Sequence, residues 1–190
     1  HICAILDNSS VKCWGRGIEG SLGLENTQNY GDETGEMGDS LPYVDLNNIK
    51  VKSISSGAYH TCVILADDNS TCWGDNQYGQ LGIGSSSDVG DLSNEMGENL
   101  KRVDLVGKTS QIVSGNDYTC VILDDGLIRC WGRSTWGQLG VVGDDNIGDG
   151  SGSNSGISMG SYLMITDLSM IPSDYDNDGW IDLWDLDDDN

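Results

Sequence analysis

Basic residues are scarce in this chain: nine lysines and arginines stand against thirty-one aspartates and glutamates, a formal net charge of −22 over 190 residues. A surface of that sign repels phosphate, which argues against nucleic acid and anionic membranes as partners. No apolar run approaches the length needed to cross a bilayer, so membrane insertion is not expected. The opening His1–Leu6 is too short and too uncharged for a signal peptide. Histidine is nearly missing, with two in all, and no Cys-x2-Cys pair occurs, which leaves a zinc site short of ligands.

What the chain does have is repetition. Tyr59-His60-Thr61-Cys62-Val63-Ile64-Leu65, Cys72-Trp73-Gly74 and Gly79-Gln80-Leu81-Gly82 form one copy of a three-part pattern. His1 to Leu6, Cys13-Trp14-Gly15 and Gly20-Ser21-Leu22-Gly23 form an earlier copy. Tyr118 to Leu123, Cys130-Trp131-Gly132 and Gly137-Gln138-Leu139-Gly140 form a later one. Units therefore start near residues 1, 57 and 115, which predicts a stack or ring of similar small bodies.

Both arms of each unit read as strands, β-branched and apolar, joined by turn residues such as Asp67-Asp68-Asn69 and Asp124-Asp125-Gly126. A three-residue loop with a left-handed third position would set Leu123 opposite Leu127 and Cys120 opposite Cys130. Directly opposed residues of an antiparallel ladder lie within disulfide reach. The pairs Cys3–Cys13, Cys62–Cys72 and Cys120–Cys130 are accordingly expected as hairpin disulfides in an oxidising compartment, with free buried thiols and metal ligation as the competitors. Each tryptophan that follows a second cysteine points to the opposite side of its strand. Trp14, Trp73 and Trp131 are thus expected in the packing between neighbouring sheets.

His1 and His60 share a position that Tyr118 fills in the third unit. Neither histidine has a serine, cysteine or carboxylate placed beside it as a nucleophile would require, so a structural hydrogen bond is expected there.

These residues resemble the regulator of chromosome condensation repeat family, in particular Gly57 to Leu65 followed by Cys72 to Gly82. The resemblance covers most of residues 1–168 and implies an all-β fold, a partial β-propeller of about three four-stranded blades. Three units fall short of a ring, so an open piece of a longer array is expected. The paired cysteines look like those of secreted members.

The inter-hairpin stretches 25–40 and 84–99 repeat as well, through Glu36-Met37-Gly38 and Glu95-Met96-Gly97. They should lie on one rim, made anionic by Asp32, Glu33, Glu36, Asp39, Asp91, Glu95 and Glu98. A solvated loop is the plain reading; a docking surface for a basic partner, or weak cation sites, is the functional one. The third pass degrades near Gly150 to Ser153 and stops at Met170-Ile171-Pro172, which places a boundary between 1–168 and 169–190.

Beyond that boundary lies the sharpest chemical motif. Counted from Asp174, carboxylates at Asp174, Asp176, Asp178, Asp182 and Asp185 occupy loop positions 1, 3, 5, 9 and 12, with Gly179 at 6 and the carbonyl of Trp180 at 7. Calcium needs about six to eight hard oxygens, and alternate residues of a tight loop supply them. Asp185 in place of glutamate shortens the reach at position 12, and Pro172 argues against a preceding helix. The stretch resembles a thrombospondin type 3 calcium repeat.

Together these features predict a non-enzymatic extracellular or cell-surface module. It would bind protein or polysaccharide through propeller loops, and calcium through its tail. Two other classes fit the residues less well. A sialidase-like glycoside hydrolase would want its tryptophan three residues after the glycine of Asp125-Gly126, not at Trp131, and an arginine cluster. Guanine-nucleotide exchange on a small GTPase, an activity of nuclear members of the family, conflicts with paired cysteines.

Overall fold

The computed structural model describes residues 1–140 and 146–150. Each unit is built on a hairpin: β1 (Ile2–Ile5) with β2 (Val11–Trp14), β4 (His60–Leu65) with β5 (Ser70–Gly74), and β7 (Tyr118–Leu123) with β8 (Ile128–Gly132). Two further strands, β3 (Val51–Ser56) and β6 (Thr109–Ser114), add antiparallel to the second and third hairpins. The sheets run β1-β2, β3-β4-β5 and β6-β7-β8.

The same three-residue loop closes every hairpin. Leu6, Leu65 and Leu123 donate their N–H to the carbonyls of Ser10, Asn69 and Leu127, at 2.9, 2.8 and 2.9 Å. Its third residue takes a left-handed φ in each case, 64° at Ser9, 65° at Asp68 and 85° at Gly126. Only Gly126 does so without a steric cost. The loop brings Cys3 opposite Cys13, Cys62 opposite Cys72 and Cys120 opposite Cys130, and all three pairs are disulfides.

The fourth strand position of each unit is irregular. Gly15 bridges Tyr30, Gly74 bridges Val89, Thr71 bridges Arg102 and Gly132 bridges Ile147, each in isolation. The Leu41–Leu46 segment touches the edge of the first hairpin through the Val44 N–H to the Val11 carbonyl (2.9 Å), and Val103 repeats this on Ser70 (2.9 Å). Pro42 lacks a backbone donor, one reason that the first of these edges does not extend into a ladder.

Alternation along the hairpins decides the packing. Cys62, Ile64 and Cys72 share a core with Val121, Leu123 and Trp131 of the third unit. Val63, Leu65 and Trp73 share another with Val11, Cys13 and Leu22 of the first. The Cys3–Cys13 and Cys62–Cys72 disulfides thus face the following unit, and Trp73 and Trp131 face the preceding one. The middle hairpin is covered on both sides, and all residues of β4 and β5 are buried.

Polar latches recur at both junctions. Trp73 Nε1 donates to the carbonyl of Ser21 (3.1 Å), and Trp131 Nε1 to that of Gln80 (2.9 Å). Thr61 and Thr119 donate their hydroxyls to the same two carbonyls. His1 Nε2 pairs with Thr61 Oγ1 at 2.8 Å, and His60 Nε2 with Thr119 Oγ1 at 3.0 Å. The repeated histidine position is therefore a strut between units.

Candidate functional site

The loops that leave each Cys-Trp-Gly strand make the corner of a unit, and the long acidic stretches that follow make its rim. Short hydrogen bonds hold the corner of the second unit. Asp75 accepts from the Gln77 N–H (3.0 Å) and from Gln80 Nε2 (2.8 Å), and Gln80 Oε1 accepts from the Tyr78 N–H (2.9 Å). Asn76, wholly buried, donates to the carbonyls of Ser85 and Ser87 and accepts from the Leu81 N–H. A corner so constrained loses little further freedom when it meets a partner.

Rim carboxylates expected to be a free anionic surface are in part occupied by their own backbone. Glu36 Oε2 accepts from the N–H of Gly31 (2.8 Å) and Glu33 (3.0 Å). Glu95 Oε2 does the same for Gly90 (2.8 Å) and Leu92 (3.0 Å). Glu25 crosses to the next unit, where Oε1 accepts from the N–H of Glu95 (3.0 Å) and Met96 (3.1 Å). The recurrence of Glu36 as Glu95, each five residues after a glycine, is the sequence signal for this role. Among the described residues no group of three or more His, Cys, Asp or Glu side chains could hold a metal ion.

Electrostatics differ between the two junctions. At the second, the Arg133 guanidinium lies 4.8 Å from the centre of the Tyr78 ring and 3.1 Å from Asp117 Oδ2. At the first, the residue equivalent to Arg133 is Asp75 and the one equivalent to Tyr78 is Glu19. Partial burial, then the charges of Asp75 and Asp88, push the Glu19 carboxyl above its usual range, although Arg16 opposes them. Burial, with Asp75, Asp91 and Glu95 nearby, raises Asp88 despite the Asn76 N–H that it accepts. Burial and Glu95 raise Asp91. Arg16 also lies 5.4 Å from the centre of the Tyr59 ring.

His60 is fully buried and its Nδ1 has no hydrogen-bond partner among the described residues. Burial lowers its pKa from 6.5 to about 4, against a smaller upward pull from Asp117. It is a neutral structural group near neutral pH.

Apolar side chains still stand out from this face and its edges. Leu92 on the second rim is 63% exposed, Tyr59 37% and Trp136 at the third corner 80%. The calcium loop expected at Asp174, Asp176, Asp178, Trp180, Asp182 and Asp185, and the whole 169–190 segment, lie outside the described residues. Sequence reasoning found the cysteines and tryptophans. It missed Glu25, whose bonds to Glu95 and Met96 cross a junction, and Arg133, which meets Tyr78 across one while pairing with Asp117 of its own unit.

Two profiles, both described as "Regulator of chromosome condensation (RCC1) repeat", match the chain, one at residues 51–80 and 110–138 and the other at 10–64. The ultraviolet-B receptor UVR8 of Arabidopsis thaliana is 31% identical over 145 residues, covering 74% of this chain and 29% of that protein. The probable E3 ubiquitin-protein ligase HERC6 of Homo sapiens is 27% identical over 143 residues, 75% of this chain and 13% of the relative. The chain thus spans under a third of either relative. Among solved structures, Prp20p from Saccharomyces cerevisiae superposes with a TM-score of 0.59 at 18% identity, covering 77% of this chain and 34% of that one. Human WBSCR16 gives 0.53 at 21% identity, covering 80% and 38%.

Proposed function

The chain belongs to the regulator of chromosome condensation repeat family, and from that premise we propose that it is a non-catalytic platform that binds a protein partner through its corner and rim loops. One observation carries the reading: the second rim is held rigid by Glu95 and by Glu25 of the neighbouring unit, yet it presents Leu92, next to Asp91 in the chain, at 63% exposure. An apolar anchor on a fixed loop is what a protein interface needs. Binding requires no assembly of nucleophile and base, and the two histidine positions serve as struts between units.

The platform works outside the cell or at its surface. Three hairpin disulfides support this placement, since such bonds persist in oxidising compartments. The 169–190 tail is a calcium-binding linker of thrombospondin type 3 character, supported by the spacing of Asp174, Asp176, Asp178, Asp182 and Asp185.

A photo-reactive side chain placed at Leu92, and separately at Val106, tests the platform. Val106 is as exposed, at 66%, but lies off the rim, between Val103 and β6. Cross-linking in the extracellular fraction should trap a discrete protein from position 92 and not from 106. Equal capture at both sites, or none at either, would overturn the reading.

A further inference from the structure

Two stretches of the chain have the form Asn-x-Ser/Thr with no proline between, Asn8-Ser9-Ser10 and Asn69-Ser70-Thr71. That pattern is the acceptor for N-linked glycosylation on surface loops of secreted chains. The fold treats the two differently. Asn8 is the middle residue of its three-residue hairpin loop, whereas Asn69 follows its loop and leads straight into β5. Asn8 is exposed, and its Oδ1 accepts from the Ser10 hydroxyl (2.6 Å) and the Ser10 N–H (3.0 Å). Its Nδ2 has no partner among the described residues. Asn69 is half-buried, Ser70 and Thr71 are 1% and 2% exposed, and the Thr71 hydroxyl is already given to the Lys101 carbonyl at 2.6 Å.

The exposure of Asn8 belongs to the loop and not to the place of its unit in the array. Asp67 and Asp125 hold the same loop position in the second and third units, and both are exposed, although the second unit has a neighbour on each side. Beside Asn8 lies a cleft of about 460 Å³, lined by Ser9, Ser10, Tyr43, Asp45 and Asn48 among others. The second unit closes the same place with charge: Arg102 pairs with the Asp67 carboxylate, and Lys108 Nζ donates to the Asp67 carbonyl at 2.8 Å. Asn8 and Tyr43 stand where Asp67 and Arg102 do, so no ion pair bars the cleft. It leaves room for a saccharide next to the loop, against a tyrosine that is 54% exposed.

We propose that Asn8 is the acceptor of an N-linked glycan in the folded chain. The donor is an oligosaccharide carried on a lipid diphosphate. Asn8 Nδ2 attacks the anomeric carbon of its first sugar, and a C–N bond forms as the C–O bond to the diphosphate breaks. The lipid diphosphate leaves with the electron pair, and the amide proton passes to a base of the transferring enzyme. Donation from the Ser10 hydroxyl to Oδ1 stabilises the negative charge that gathers there as the nitrogen gives up its proton. The inference rests on the extracellular placement above, because donors of this class meet chains that are being exported.

Transfer onto the full 190-residue chain, folded and oxidised, tests it, with an oligosaccharyltransferase and a lipid diphosphate-linked oligosaccharide as the probe. The mass should rise from 20.4 kDa by one glycan, carried on the peptide that ends at Lys12. Asn8→Asp keeps the loop's oxygen acceptor and removes the nucleophile, and Ser10→Ala removes the hydroxyl; each should abolish the gain. Ser10→Thr should retain it, and so should Asn69→Gln. A folded parent that stays bare at Asn8, a gain that survives Asn8→Asp, or equal transfer to Asn69 would each overturn the proposal. The natural protein separates this inference from the placement that it rests on. A bare Asn8 on protein recovered from the extracellular fraction with its cysteines paired overturns the glycan and leaves the placement standing. Free thiols on a cytosolic protein overturn both.

Discussion

Trp131 donates its indole N–H to the backbone carbonyl of Gln80, 2.9 Å away in the preceding unit, and Thr119 donates its hydroxyl to the same oxygen at the same distance. One carbonyl thus ties the Cys-Trp-Gly strand and the first hairpin strand of one unit to the corner of another. Trp73 and Thr61 repeat this on Ser21.

Trp131→Ala should cost about 3–5 kcal/mol, because a fully buried ring is replaced by a cavity. Trp131→Phe keeps much of the volume and removes the donor; Thr119 still satisfies the carbonyl, so the loss of the bond itself should be about 1 kcal/mol. Trp14→Ala, at a half-buried position, should cost well under the Trp131→Ala value. Urea midpoints of the three variants rank them; equal costs for Trp14→Ala and Trp131→Ala would contradict the latch.

Acid should loosen the second junction through His60. Its pKa is 6.5 when free and about 4 in the folded chain. Between those values the unfolded chain takes up a proton that the folded one refuses, so stability is complete above pH 6.5 and is lost as pH falls to about 4. The loss is on the order of 3 kcal/mol. His60→Tyr borrows the residue that the third unit uses at Tyr118. Its urea midpoint should fall less than the parent's between pH 7 and pH 4.5, and the carboxylates common to both chains cancel in the comparison.

Glu25→Ala should free the amides of Glu95 and Met96, which it now accepts at 3.0 and 3.1 Å. Leaving part-buried donors unpaired costs about 1–3 kcal/mol. Hydrogen exchange at those two amides should accelerate, while exchange within β4 and β5 keeps its protection. Glu25→Gln retains an acceptor oxygen and should preserve most of the protection. Unchanged exchange at Glu95 and Met96 in the alanine variant would mean that the clasp is not formed in solution.

Calcium titrated into the full chain should give a saturable heat signal, weakened by Asp178→Ala at loop position 5. Asp39→Ala, on the first rim, should leave that signal unchanged. A flat isotherm for the parent chain would remove the tail site.

Local order was readable along the chain, because a hairpin is written within about a dozen residues. Ten residues between paired cysteines and a three-residue loop leave one register in which sulfurs oppose, and period-two alternation then turns each tryptophan to the other face. The strand-like segments beyond Leu41 and Leu100 were legible only in part. Their residues suit strands, but the first touches its sheet through the single Val44–Val11 hydrogen bond and the second through the single Thr71–Arg102 bridge, since what continues a ladder is the neighbouring edge and not the segment's own preference.

Sequence alone, then, determined the repeat, the sulfur pairing and which side chains face inward, all consequences of spacing along one strand or across one tight turn. Only the stacking of units decided that Trp73 is enclosed while Trp14 is half-open, that Glu25 serves amides 70 and 71 residues away, and that Arg133 finds Tyr78 while its counterpart Asp75 faces Glu19. Those contacts join residues far apart in the chain, and periodicity carries no information about which surfaces meet until the bodies have formed.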